Sequence, residues 1–186
     1  MVWYITVVLR THVVVSGPSG VGKTTLAEKL APLLKTAVLS KDRLKEALFD
    51  VRPAHDSQAS LELSAMAMAV MYRIAGGSAG GLLLDANWRA DLDASRLRAL
   101  PLPLVQLCCT VDLEEARRRL QQRVRVGERH PVHRDVLDPD LLAAVVAGVP
   151  AEPQPLPLDV PLLVVDTLHR VDLDPIVRWL REHAAL

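Results

Sequence analysis

Short apolar runs alternate with longer mixed stretches along most of this chain. The runs Val13–Val15, Ala37–Leu39, Leu82–Leu84, Leu104–Cys109 and Leu162–Val165 are continuous and do not alternate in polarity. That is the pattern of strands covered on both faces. The stretches between them predict helices over Lys23–Leu34, Asp42–Phe49, Gln58–Ile74, Ala90–Leu100, Leu113–Val126, Asp138–Ala147 and Pro175–Ala184. Strand and helix in alternation imply right-handed crossovers and a parallel sheet. In such sheets ligands bind beyond the carboxyl ends of the strands, so each polar residue just after a strand is a site candidate. Two segments punctuate the pattern. Gly76-Gly77-Ser78-Ala79-Gly80-Gly81 reads as a flexible connector into the third strand. The proline-rich Val149–Pro161 reads as an ordered surface loop, with a proline-motif docking role as the alternative. The apolar Val2–Leu9 is too short to span a membrane and lacks the flanks of a cleaved leader, which leaves an extra N-terminal edge strand or a loosely docked extension.

Composition narrows this picture. A chain of 186 residues suits one domain, 1–186, with a substantial core. Half of it is hydrophobic but only 3% is aromatic, so the core is built from Val, Leu and Ala. Lys+Arg and Asp+Glu both number 22, and a net charge of zero weighs against a protein whose main work is gripping long nucleic acid. Cys108 and Cys109 are adjacent in an expected strand and point to opposite faces. They read as buried thiols of a reducing, cytoplasmic compartment. Met66, Met68 and Met71 are either core filling or an adaptable pocket wall.

The chemistry concentrates after the first strand. Gly17-Pro18-Ser19-Gly20-Val21-Gly22-Lys23-Thr24 fits G-x-x-x-x-G-K-[ST] at every fixed position, between an apolar strand and a helix-forming run that opens Thr24-Thr25. Glycines let the backbone wrap a phosphate, and the helix N-terminus supplies positive partial charge. Lys23 then reaches the β- and γ-phosphates of ATP, and the Thr24 hydroxyl ligates Mg²⁺. Ser40-Lys41-Asp42 follows the second strand and opens a helix. Asp42 there takes or orients the proton of an attacking hydroxyl, and Lys45, three residues on, balances charge on the acceptor. Plain capping is the alternative for Asp42. Asp85-Ala86-Asn87-Trp88 follows the third strand. Asp85 suits Mg²⁺ or its waters, Asn87 the acceptor, and Trp88 either ring stacking or packing. From Glu114 to Arg134 the chain is densely basic. Glu115, Arg119 and Arg123 recur at four-residue spacing, and Glu114–Arg118 is a second such pair. The basic run continues past Gly127, which points to a lid over about residues 117–137. Arg123 and Arg129 are its phosphate-neutralising arginines, and Arg119 comes next, on the nucleotide. His133 reads as structural or substrate-contacting; two histidines, His130 and His133, are too few for a metal site.

Together the phosphate loop, the strand-end S-K-D, the strand-end D-x-N and a lid of form R-x-x-x-R…R-H-P-x-H resemble the small P-loop kinase-like ATPases. That group includes bacterial polynucleotide-kinase-like and chloramphenicol-phosphotransferase-like proteins. The resemblance covers the chain from His12 onward. It implies a three-layer α/β P-loop fold with a five-stranded parallel sheet of adenylate-kinase-like order 2-3-1-4-5, and γ-phosphoryl transfer from ATP to a hydroxyl. Its acceptor-side Asp matches Asp42. Two departures bear on the acceptor. Lys45 stands where the family often has Arg, and lysine cannot make a bidentate phosphate contact. The chain also carries no appended phosphatase or ligase domain. Both favour a small-molecule acceptor such as an antibiotic, nucleoside or sugar-like metabolite over a 5′-hydroxyl polynucleotide. A regulatory or toxin-like protein switched by ATP occupancy is the reading from another class.

Overall fold

The lack of polar alternation in Val13-Val14-Val15 has a direct cause: all three are fully buried, in the middle strand of a sheet covered on both sides. The computed structural model describes residues 9–125, 130–133 and 154–185. Strands β1 (His12–Ser16), β2 (Val38–Ser40), β3 (Leu83–Asp85), β4 (Leu104–Thr110) and β5 (Leu162–Asp166) form one parallel sheet. Their order is β2-β3-β1-β4-β5, the order the family resemblance implies. The helices are α1 (Lys23–Leu34), α2 (Lys41–Val51), α3 (Ser57–Gly77), α4 (Ala90–Arg98), α5 (Leu113–Arg125) and α6 (Asp174–His183).

Successive strand residues feed opposite layers. Val13 and Val15 join Leu26, Leu30, Leu120 and Leu180 in the core under α1, α5 and α6. Val14 joins Leu84, Leu97, Leu156 and Leu158 on the other face. Each such side chain, fully buried, is worth about 1.5–3 kcal/mol. Leu156 and Leu158 belong to the proline-rich segment, so its described part, from residue 154 on, is an ordered cover for the sheet.

Four strands extend one residue further towards their carboxyl ends than the apolar runs, to Ser40, Asp85, Thr110 and Asp166, and β1 gains a residue at each end. The polar end residue stays in the ladder because ladder hydrogen bonds use only backbone groups. Two expectations need correction. Gly76 and Gly77 close the last turn of α3 and do not form connector; the helix continues because its buried face runs on to Ala75. Of the three methionines, Met71 is buried core but Met66 is 41% exposed. The expected helix Asp138–Ala147 and an edge strand over residues 1–8 lie outside the described residues. Leu9 is buried, and its carbonyl accepts from Gly81 N–H at 2.5 Å.

His12 stitches β1 to its surroundings. Its Nδ1 accepts from the Leu82 N–H at 3.1 Å, and its Nε2 faces the Ala75 carbonyl at 3.2 Å. These partners fix a neutral ring protonated on Nε2. Burial holds its pKa below the usual value, the Ala75 hydrogen bond opposing. Cys108 and Cys109 are free and buried, and burial pushes the Cys109 thiol up to about 12. Among the described residues no helix is long and apolar enough to cross a membrane.

Candidate functional site

Gly17, Gly20 and Gly22 hold φ of 131, 84 and 87°. A Cβ on Gly17 would overlap the Cys109 carbonyl, and one on Gly20 would overlap the Ala116 carbonyl. The loop therefore threads between the end of β4 and α5, where only glycine fits. Gly22 is the N-cap of α1 and brings no side-chain cap. The first-turn N–H groups of α1 and its positive dipole end are left to face the loop.

Lys23, at the head of α1, is 8% exposed. Its Nζ donates to the Gly17 and Pro18 carbonyls at 2.8 and 2.7 Å and to Asn87 Oδ1 at 2.8 Å. Burial lowers its pKa, and the charges of Asp85 and Asp42 oppose that. Thr24 Oγ1 donates to Asp85 Oδ2 at 2.7 Å. Asp85, the last residue of β3, is 3% exposed. Burial raises its pKa; the Thr24 hydrogen bond and the Lys23 charge act against burial. A hydroxyl and a buried carboxylate side by side are a hard-oxygen pair of the kind Mg²⁺ prefers, and glycine-shaped backbone with a buried lysine suits phosphate. The residues present thus fit a triphosphate and a divalent cation.

Beside the loop lies a cavity of about 270 Å³. Leu26, Arg119, Thr167, His169 and Val171 line it, among others. Arg119 is braced there: Nε donates to Glu115 at 2.7 Å and Nη2 to the Thr167 carbonyl at 2.8 Å. Thr167, one residue past β5, hydrogen-bonds the Val21 carbonyl at 2.6 Å and the Thr110 carbonyl at 3.0 Å. Sequence reasoning missed the Thr167–Val171 segment. Its signal was available, since the rule that polar residues just past a strand are candidates applies to β5 as it does to β2 and β3.

On the other side a cavity of about 500 Å³ opens between α1, α2 and residues 130–133. Asp42 and Arg123 line both this cavity and the phosphate cleft, and Arg123 also borders the Thr167 side. Asp42 pairs with Lys41 at 3.2 Å. His133 is buried, with Nε2 2.9 Å from Glu46 Oε1. His130 Nε2 lies 3.2 Å from Asp50, and its ring meets Phe49 edge-on. Residues 130–133 are thereby docked on α2.

Several predicted residues stand elsewhere than expected. Asn87 turns to the phosphate loop, donating to Ser19 Oγ at 3.0 Å and accepting from Lys23. Lys45 is buried, and its Nζ donates to Ser60 Oγ on α3 at 2.8 Å, so it does not line the acceptor-side cavity. Nor do the Met66–Tyr72 turns of α3. Trp88 Nε1 donates to the Val15 carbonyl at 2.9 Å, and the ring packs in the second core cluster, which favours packing over stacking. The Glu114–Arg118 pair does not form. Glu114 binds Arg117 at 2.8 Å, and Arg118 turns to Glu115 at 2.6 Å, because Glu115 accepts from both Arg118 and Arg119. Those two hydrogen bonds pull the Glu115 pKa down to about 2. The Glu115–Arg119 pair forms as expected. Arg129 and the rest of the expected lid, residues 126–129 and 134–137, lie outside the described residues.

Known proteins align with this geometry. An AAA domain matches residues 13–141, which spans β1 to beyond α5. A candidate kinase from Chloroflexus aurantiacus j-10-fl is 32% identical, with a TM-score of 0.81 over 94% of this chain and 98% of its own. A sugar kinase from Janibacter sp. HTCC2649 is 20% identical, with a TM-score of 0.56 over 92% of this chain and 94% of its own, and shows the shared fold alone. No curated protein matches the chain. With the phosphate loop, the Thr24–Asp85 pair and the β2-β3-β1-β4-β5 sheet in place, the chain belongs to the AAA domain family and has the fold of its P-loop kinase-like members.

Proposed function

We propose that this protein is an ATP-dependent phosphotransferase that carries the γ-phosphoryl group to a hydroxyl of a small molecule. The observation that carries the reading is continuity. One cleft holds the phosphate-binding set, a second open cavity adjoins it, and Asp42 and Arg123 border both. A switch that only senses ATP has no need of a second cavity with a carboxylate at the shared wall.

Each residue then has a task. The phosphate loop with Lys23 holds the triphosphate, and Thr24 and Asp85 hold Mg²⁺, which supplies neutralisation of phosphate charge when bound. Asp42 orients the acceptor hydroxyl and takes its proton as the new O–P bond forms and the bond to the ADP oxygen breaks, the electron pair leaving with ADP. Arg123 stabilises charge developing between them, and Arg129, from the lid segment, is assigned the same work. Arg119, fixed by Glu115 and Thr167, borders the nucleoside end. His133 shapes the acceptor wall through Glu46. Lys45 supports that wall from behind through Ser60, and Asn87 positions Lys23.

The test is transfer from γ-labelled ATP with Mg²⁺ to separate pools of sugars and polyols, nucleosides, hydroxylated antibiotics and 5′-hydroxyl oligonucleotides. Label should enter one small-molecule pool. Asp42→Asn should lower that transfer by about 10²–10⁴-fold, the scale of a lost general base, with ATP affinity kept. ATP binding with no transfer to any pool would sink the proposal.

A further inference from the structure

The acceptor-side cavity has a lining unlike that of its neighbour. Every described side chain that borders it is polar or charged. Glu28, Asp42 and Glu46 supply carboxylates; Arg43, Arg123, His130 and His133 supply donors. The cavity across the phosphate loop, by contrast, includes Leu26 and Val171, the kind of surface a flat ring needs. Among the described residues that line the acceptor side, no apolar side chain and no Phe, Tyr or Trp offers such a surface. An acceptor carrying an aromatic ring or nucleobase would find imidazoles and guanidiniums there, but no apolar described wall to bury its faces against.

The charges narrow the class further. Arg43 is held by Glu28, His130 by Asp50 at 3.2 Å, and His133 by Glu46 at 2.9 Å. Asp42 is paired with Lys41 at 3.2 Å. Arg123 borders the phosphate cleft as well, where the proposed function gives it the triphosphate. An anionic acceptor, whether carboxylate or phosphate, would have to compete for these described cations with a carboxylate or, at Arg123, with the triphosphate. It also meets three carboxylates. Hydroxyl groups fit the same wall well: each can donate to a carboxylate and accept from a guanidinium or imidazole. The Arg43–Glu28 pair is solvent-exposed, 66 and 40% on its two sides, and a hydroxyl can accept from Arg43 while donating to Glu28, so it can join the pair without parting it.

We propose that the acceptor is a neutral polyhydroxylated small molecule, a sugar or polyol, whose neighbouring hydroxyls are held by Asp42, Glu46 and Arg43. This deepens the phosphotransfer reading and rests on it. Glu46 is its specificity residue, since the His133 contact fixes its orientation.

Binding and transfer separate the two ideas. Protein loaded with ADP and Mg²⁺ is titrated calorimetrically with glucose, gluconate, sorbitol, myo-inositol, adenosine, uridine and a 5′-hydroxyl oligonucleotide. Binding should appear among the neutral polyols. Glu46→Gln and the exposed Arg43→Gln should each weaken it by roughly 10-fold, the scale of one charge-assisted hydrogen bond, with ADP affinity within about 2-fold. Binding confined to gluconate, the nucleosides or the oligonucleotide overturns the class, and so does binding of none of them. The bound polyol is then offered γ-labelled ATP. A polyol that binds but takes no label sinks the phosphotransfer reading and leaves the pocket assignment standing.

Discussion

Lys23 donates to three oxygens at once, two of them carbonyls of its own loop. A phosphate presented to the loop competes for those donors, and a charge-assisted bond is worth more than a neutral one. Lys23→Ala should weaken ATP binding roughly 10- to 100-fold, the equivalent of about 1.5–3 kcal/mol. A fluorescent-nucleotide titration reads this directly; unchanged affinity would remove Lys23 from the phosphate site. The same variant leaves Asp85 buried beside Thr24 without its nearest cation, so the ligand-free protein should also melt earlier. Arg123 behaves differently because it is shared between cavities. Arg123→Ala should lower kcat by about 10²–10³-fold and ATP affinity by far less, as expected of a group that acts on developing charge. Equal losses in both would make it a ground-state clamp. The place of Lys23 at the head of α1 was legible from the phosphate-loop motif, and that of Arg123 on α5 from the four-residue spacing of its helix. The orientations of Asn87 and Lys45 were not, because a spacing of two or three residues does not say whether a side chain turns to ligand, loop or neighbouring helix.

At the scale of elements the apolar runs place every strand to within one residue at either end, β5 included, although its Leu162 and Val164 are exposed. β1 and β4, buried throughout or nearly so, match their apolar runs closely. The strands run one residue past their apolar runs, to Ser40, Asp85, Thr110 and Asp166, because a polar side chain leaves the backbone ladder intact, and these are the positions from which the chain turns towards the candidate site. The Thr167–Val171 wall was passed over because Leu162–Val165 suggested a core strand and nothing beyond it matched a motif. His12 shows how an element is secured by a group that periodicity alone cannot interpret. In the folded chain its ring is neutral, with a pKa held below the ordinary value by burial. The unfolded chain therefore binds a proton more readily, and stability falls as pH drops below about 6.5 towards the lowered folded-state value, by at most about 1.4 kcal/mol per pH unit. His12→Gln, which can keep one donor and one acceptor, should flatten that dependence. Urea midpoints from pH 7.5 to 5.0 for both proteins measure it; parallel curves would assign the acid sensitivity to other groups.

Across the whole molecule, one threonine ties together elements that are far apart in sequence. Thr167 Oγ1 hydrogen-bonds Val21 of the phosphate loop and Thr110 at the end of β4, and its carbonyl holds Arg119 of α5. The edge strand β5 is thereby linked to the central phosphate loop and to the helix that carries Arg123. Thr167→Val keeps the shape and the carbonyl but removes the hydroxyl, leaving the Val21 carbonyl in need of another donor. The expected cost is about 1–3 kcal/mol, which for a chain of this size lowers Tm by roughly 2–12 °C. The effect should also reach ligand binding. In the parent protein, ADP with Mg²⁺ at about 100 times its Kd should stabilise by about 2.7 kcal/mol, or roughly 5–10 °C. If Thr167 shapes the phosphate loop, the variant should show a smaller ligand-induced shift at the same ADP concentration, because its Kd has risen. Thermal melts of both proteins with and without ADP separate the two effects. A lowered Tm with an undiminished ligand shift would make Thr167 a structural tie alone, and a diminished shift would make β5 part of the nucleotide site.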